Sequence, residues 1–159
     1  MNILQAQDAV NGREGTAVAT IPNPITGEAE KVELMELANI TITVEKEKTE
    51  FKAIGERNTQ NKTTGWKGTG SATVRYISSR WAQMLENYVA NGVDTYFDIL
   101  ITNEDPGSST GSQIINVIGC NIDSVDIAKL DIESEVLEQD IDFTFNNFTV
   151  NKAFTSLDN

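Results

Sequence analysis

Histidine is absent from this chain, and cysteine occurs once, as Cys120. The first absence removes Ser–His–Asp triads, Cys–His pairs, the commonest zinc sites and the usual general base together. Catalysis by carboxylates, Lys or Tyr alone is what remains, and the sequence is read as non-enzymatic. The second absence excludes any disulfide within the chain. Cys120, set in the apolar run "QIINVIGCNI", reads as a small buried side chain rather than a nucleophile. Long apolar runs are missing too. No window approaches the roughly 18 apolar residues of a membrane span. The residues after Met1, "NILQAQDAVNGREG", have neither the basic region nor the apolar core of a secretion signal. The expectation is a protein that is soluble, is made in the cytoplasm and does not itself insert into a membrane.

Positive charge is scarce in one half. The net charge is −12, yet residues 1–80 hold ten Lys/Arg and ten Asp/Glu, while residues 81–159 hold only Lys129 and Lys152 against fourteen acids. Affinity for a phosphate backbone comes from clustered cations that release counterions, so wrapping of nucleic acid is excluded. An acidic wall that repels DNA fits the distribution. A chain of 159 residues is expected to form one domain over residues 1–159.

Alternation of period two dominates what is present. "EGTAVATI" (14–21) reads as a strand, "PNPITGE" (22–28) as a turn, and in "ANITITVEKEKTEF" (38–51) Ile40, Ile42 and Val44 alternate with Thr41, Thr43 and Glu45. Past Val44 the apolar face ends. Lys46, Glu47, Lys48 and Glu50 there either continue a solvated hairpin arm or belong to a long polar loop over about 46–68, and from Gly55 onward "GERNTQNKTTGWKGTG" has no aliphatic residue. "GSATVRYI" (70–77) regains strand character. Trp81, Met84, Leu85, Tyr88 and Val89 then form one apolar helical stripe, which predicts a core-packed helix over about 79–91, capped by Ser78 or Ser79 and ended by Asn91–Gly92. "VDTYFDILITN" (93–103) and "QIINVIGCNID" (113–123) read as strands, the second buried on both faces. In 124–136, Asp131, Glu133 and Glu135 alternate with Ile132 and Val136; in 138–150, Asp140 and Asp142 alternate with Ile141, Phe143 and Phe145. Two successive strands with one acidic face each are expected. The fold class is mainly β, about eight to ten strands in a β-sandwich or partly closed barrel with one flanking helix.

Specific chemistry finds little footing. "GWKGTGS" has the order G-x-x-G-x-G, lacks the lysine before Ser/Thr of a phosphate loop, and precedes a strand rather than a helix. One Trp among three cations is too few aromatics for a single-strand stacking platform. The acids of 123–142 lack the glycine and spacing of a calcium loop. Carboxylate pairs that would suit a glycosidase are unspecific among 24 acids. No cofactor or metal is implied. A monomeric β-sandwich that binds carbohydrate or protein is the alternative function, although only Trp66 and Trp81 are available for ligand stacking.

The segments "GERNTQNKTTGWKGTGSATVRYISSRW", "YFDILITNEDP" and "GCNIDSVDIAKLDIESEVLEQDIDFTFNNFTV" resemble the tail tube (core tail) proteins of contractile phage tails, prophages and phage-tail-like bacteriocins. The similarity runs from about Gly12 to Phe154. It implies a structural virion component that self-assembles into hexameric rings, stacked as the inner tube of a tail. Such a tube is a conduit for DNA, which passes without specific binding, or for membrane puncture. Implied partners are further copies, the tail sheath, the tape-measure protein and the baseplate hub. Within this frame Arg57, Lys62, Trp66 and Lys67 are expected at an assembly interface carried by the 46–68 loop. Asp131, Glu133, Glu135, Asp140 and Asp142 are expected on the lumen wall.

Overall fold

The computed structural model describes residues 5–6, 15–22, 28–76, 79–133 and 135–155. Most of the turn expected at 22–28, and the capping candidate Ser78, therefore lie outside the described residues. The elements follow the order β1 (Gly15–Pro22), β2 (Ala29–Glu33), β3 (Leu37–Phe51), β4 (Gln60–Arg75), α1 (Arg80–Asn91), β5 (Phe97–Glu104), β6 (Ser112–Val125), β7 (Glu138–Phe145) and β8 (Asn147–Lys152). All pairings are antiparallel, in the order β2-β1-β5-β6-β7-β4-β3, with β8 also on β6. The expectation of a mainly β, incompletely closed architecture with one helix is met.

β6 belongs to two sheets. Residues 114–118 pair with β8, and residues 121–125 with β7. The change comes at Gly119, whose φ of 70° suits a residue without a Cβ and whose N–H donates to Asp98 Oδ1 at 3.0 Å. Asn146, between β7 and β8, fills the space beside it, and its N–H donates to the Ile118 carbonyl at 3.0 Å. The bend folds the sheet over, so that Ala17 and Ala19 of β1 share one core with Val74 of β4 and Ile141, Phe143 and Phe145 of β7. No residue from Gln113 to Ile122 is exposed, as its continuous apolar character implied.

The second sheet (β3, β4, β7 and the end of β6) is packed by size matching. Gly68 and Gly70 stand opposite Phe145 and Phe143, and a Cβ on either glycine would lie 2.5 or 2.3 Å from the facing ring. The glycines that mimic a phosphate loop are seats for two aromatic rings. Ala72 and Val74 continue the row opposite Ile141 and Gln139.

Three expectations need correction. First, of the two readings of 46–68 the hairpin arm holds and the loop does not: β3 and β4 continue their ladder to the pair Phe51↔Gln60 and are joined by residues 52–59. A backbone ladder needs no buried face, and Thr, Lys and Glu pairs such as Glu45↔Lys67 and Thr49↔Lys62 sustain it. A register shift between Glu47 and Lys48 is spanned by Thr64, whose hydroxyl donates to the Glu47 carbonyl at 3.3 Å. Second, 126–137 is a loop rather than an acidic strand. β7 is already paired on both sides, by β4 and β6, and the Asp131 carboxylate accepts the Glu133 N–H at 3.0 Å, which turns the chain. Third, the helix stripe divides. Trp81 is buried 5.8 Å from the Phe97 ring and Met84 and Leu85 are half-buried, but Tyr88 and Val89 are exposed. The helix is held at its start, where Arg80 Nη1 lies 3.2 Å from the buried Glu36 Oε1, and it ends at Gly92, φ 68°. Ser79 occupies the cap position without a side-chain cap hydrogen bond.

Because the rings leave no room on β4, Gly70→Ala should destabilise the domain by about 1–3 kcal/mol through overpacking. Urea unfolding should show a lower midpoint at unchanged slope, and adding Phe143→Leu should recover part of the loss.

Candidate assembly surface

The outward face of the second sheet is polar throughout. Its cross-strand rows are Asn39–Thr73–Asp140, Thr41–Ser71–Asp142 and Thr43–Thr69–Thr144, the last two reaching Ser124 and Asn121 on β6. Asp140 Oδ1 accepts the Thr73 hydroxyl at 3.0 Å and Asp142 Oδ2 accepts the Ser124 hydroxyl at 3.2 Å. Both carboxylates are thus oriented on the sheet rather than mobile above it. The β4 cations on this face stand at its two ends: Lys67 opposite Glu45, and Arg75 4.0 Å from Glu138. Among the described residues, no cation stands in the rows between them.

This sheet has two open edges. β3 pairs only with β4, and residues 121–125 of β6 pair only with β7, among the described residues. Unpaired edges template further strand pairing, and a long edge of fifteen residues is a liability in a monomer.

The expected site residues are not one cluster. Arg57 is in the arm's turn, while Lys62 and Lys67 are exposed on β4. Trp66 faces the core side at the base of the arm, with its ring 6.1 Å from Phe145 and 6.2 Å from Phe148, and remains 43% exposed. It is one member of an aromatic trio rather than an isolated ring. Asp140 and Asp142 share the polar sheet face, whereas Asp131, Glu133 and Glu135 lie on the 126–137 loop and are no part of that sheet. The hydroxyl rows were missed as a surface, although Thr41 and Thr43, and Thr69, Ser71 and Thr73, mark it at period two.

Cys120 is fully buried against this core, and its thiol is pushed up to about 12, first by burial and then by the Asp98 charge. A raised thiol pKa disfavours the nucleophilic thiolate.

The chain thus has two sheets sharing a bent strand, one of them with a polar outer face and two open edges. Comparison with known proteins gives this architecture its family. Residues 2–151 match the family model described as "Phage tail tube protein". The chain is 35% identical over 147 residues to the phage-like element PBSX protein XkdM of Bacillus subtilis (strain 168), covering 92% of this chain and 93% of that one. Similar folds occur in the anti-feeding prophage cap, which terminates a tube (TM-score 0.67, 14% identity, 96% and 97% of the two chains). The sheath–tube complex of an extracellular contractile injection system holds another (TM-score 0.65, 12% identity, 93% and 94%). The chain belongs to the phage tail tube protein family, and it is a structural tube component. The alternative of a monomeric binding module finds no support in these comparisons.

Iodoacetamide at pH 8 should leave Cys120 unmodified in the folded protein for hours, since the thiol is buried and burial holds it in its un-ionised form. In urea the same reagent should modify it fully, as mass spectrometry would read.

Proposed function

We propose that six copies close into a ring by joining the second sheet edge to edge, the free side of β3 in one copy meeting residues 121–125 of the next. Stacked rings then form the inner tube of a contractile tail. The observation that carries this is the polar sheet with an open edge on each side. A head-to-tail contact whose rotation closes makes a ring, and closure removes both open edges of this sheet at once. The six-fold number and the partners follow from the family resemblance: the sheath outside, the tape-measure protein within, the baseplate hub at one end. The protein is made in the bacterial cytoplasm and resides in the tail particle.

In this arrangement the hydroxyl and carboxylate face lines the bore. Asp140 and Asp142 repel passing DNA over roughly 8 Å at physiological salt, enough to prevent adhesion without filling the channel. The arm spans about 25 Å beyond Gly68, at ~3.3 Å per strand residue, and reaches the adjacent ring. Trp66 offers its exposed face to that contact at the arm's base, as aromatic anchors do.

Lys48 and Thr63 are cross-strand partners, so replacing residues 49–62 by Asn-Gly leaves a closed hairpin. This variant should unfold like the native chain yet yield no tubes under negative-stain microscopy; normal tubes would refute the arm's role. Charge reversal at both Asp140 and Asp142 should give tubes that assemble but retain DNA, and release of DNA at the native rate would remove the repulsion argument.

A further inference from the structure

The two ends of the second sheet differ in chemistry. β4 runs from Gln60, beside the arm's turn, to Arg75, opposite Glu138 at the start of β7. The 126–137 loop therefore sits at the end away from the arm tip, some 50 Å along the strand at ~3.3 Å per residue. Hydrogen bonds tie it there, among them three from Tyr76 and Gln139. Tyr76 donates its N–H to the Leu137 carbonyl at 2.9 Å and its hydroxyl to the Ile127 carbonyl at 3.1 Å, and Gln139 Nε2 donates to the Asp126 carbonyl at 3.0 Å.

Both ends expose large apolar groups with charges of opposite sign around them. The arm tip, residues 49–62, presents half-exposed Phe51 and fully exposed Ile54 among Lys52, Arg57 and Lys62, with Glu50 and Glu56 its two acids. The loop presents fully exposed Leu130 and Ile132 among Asp126, Asp131, Glu133 and Glu135, with Lys129 its one cation. Charge patches of this kind steer encounter and fix register, while burial of the aliphatic groups supplies the attraction. Because the patches are at opposite ends of one sheet, pairing them between copies repeats along the strand direction without closing.

We infer that the arm tip of one copy docks on the 126–137 loop of a second copy of this chain, Ile54 and Phe51 against Leu130 and Ile132, and Lys52, Arg57 and Lys62 against Asp131, Glu133 and Glu135. Insofar as the copies belong to successive rings, the inference rests on the tube assembly proposed above. It gives Asp131, Glu133 and Glu135 a role in stacking, apart from the bore.

Two readouts test the contact and the tube separately. In a Cys120→Ser background, Ile54→Cys with Leu130→Cys should give a ladder of oxidised oligomers on a non-reducing gel. Ile54→Cys with Val89→Cys is the control. Arg57→Glu with Lys62→Glu should weaken the ladder at least tenfold, as should Glu133→Lys with Glu135→Lys, and all four changes in one chain should restore it to within about threefold. A ladder no stronger than the control, or no recovery in the fourfold variant, overturns the contact, even where microscopy shows tubes. A charge-dependent ladder supports it, and would do so even if no rings or tubes formed, in which case the tube reading falls and the contact stands.

Discussion

Two phenylalanine rings lying over two glycines hold the second sheet in its place. Phe143 and Phe145 reach into the shared core from β7, and only the bare backbone of Gly68 and Gly70 lets β4 pair beside them. Phe143 continues, through Phe97 at 6.4 Å, to the Trp81 ring of the helix. Phe145 continues outward to Phe148 and Trp66. Two aromatic groups, Trp81–Phe97–Phe143 and Trp66–Phe145–Phe148, thus tie the helix and the base of the arm to neighbouring positions of β7. Rigidity at this junction matters because β4 carries both the polar face and the arm. A tilt of β4 at Gly70 would be magnified along the eight residues of arm beyond Gly68.

The outward side of the same strands is free of such constraint, and its composition follows. Facing away from the core, Thr69, Ser71 and Thr73 need only favour an extended backbone and accept solvent, which β-branched and hydroxyl side chains do. Asp140 and Asp142 sit at exposed positions of the same face. Placing two acids in adjacent rows of β7 is tolerable because hydroxyl partners on β4 and β6 stand between them and further charge. The sheet has one apolar face, one polar face with two carboxylates, and two free edges, which the proposed ring would pair.

Elements with one face in the core were legible in the sequence. β1, β5, the inner half of β3 and β7 all show period two because burial imposes it, and the first turns of α1 show the helical period for the same reason. The arm and the 126–137 loop were not legible by that logic. In the arm both faces are polar, so periodicity carried no information and the ladder depended on backbone pairing alone. In 126–137 the alternation of Ile132 with Asp131 and Glu133 imitated a strand, but residues 141–144 of β7 are already paired by both β4 and β6, and the Asp131 carboxylate turns the chain by accepting the Glu133 N–H. Trp66 looked isolated because its partners, Phe145 and Phe148, are some eighty residues away in the sequence. Of the expected site residues, Asp140 and Asp142 were placed correctly on an acidic strand face, because Ile141 and Phe143 between them fixed the strand's orientation.

Pattern reading of a sequence assigns each side chain to the core or to solvent, and this chain holds a third population. Ile54, Leu130 and Ile132 are large, apolar and fully exposed, yet each lies among charged residues. Were they destined for the core, the flanking Lys, Arg and Glu would be costly there. Were they destined for solvent, aliphatic side chains would confer nothing on a turn or a loop. Their position at the two ends of one long strand pair resolves the conflict: an apolar group ringed by charge of one sign is suited to a surface that is solvated before assembly and dry after it. Excess acid in residues 81–159 and balanced charge in residues 1–80 then divide along the same line, since the arm is built from the first half and both the loop and the two sheet aspartates from the second.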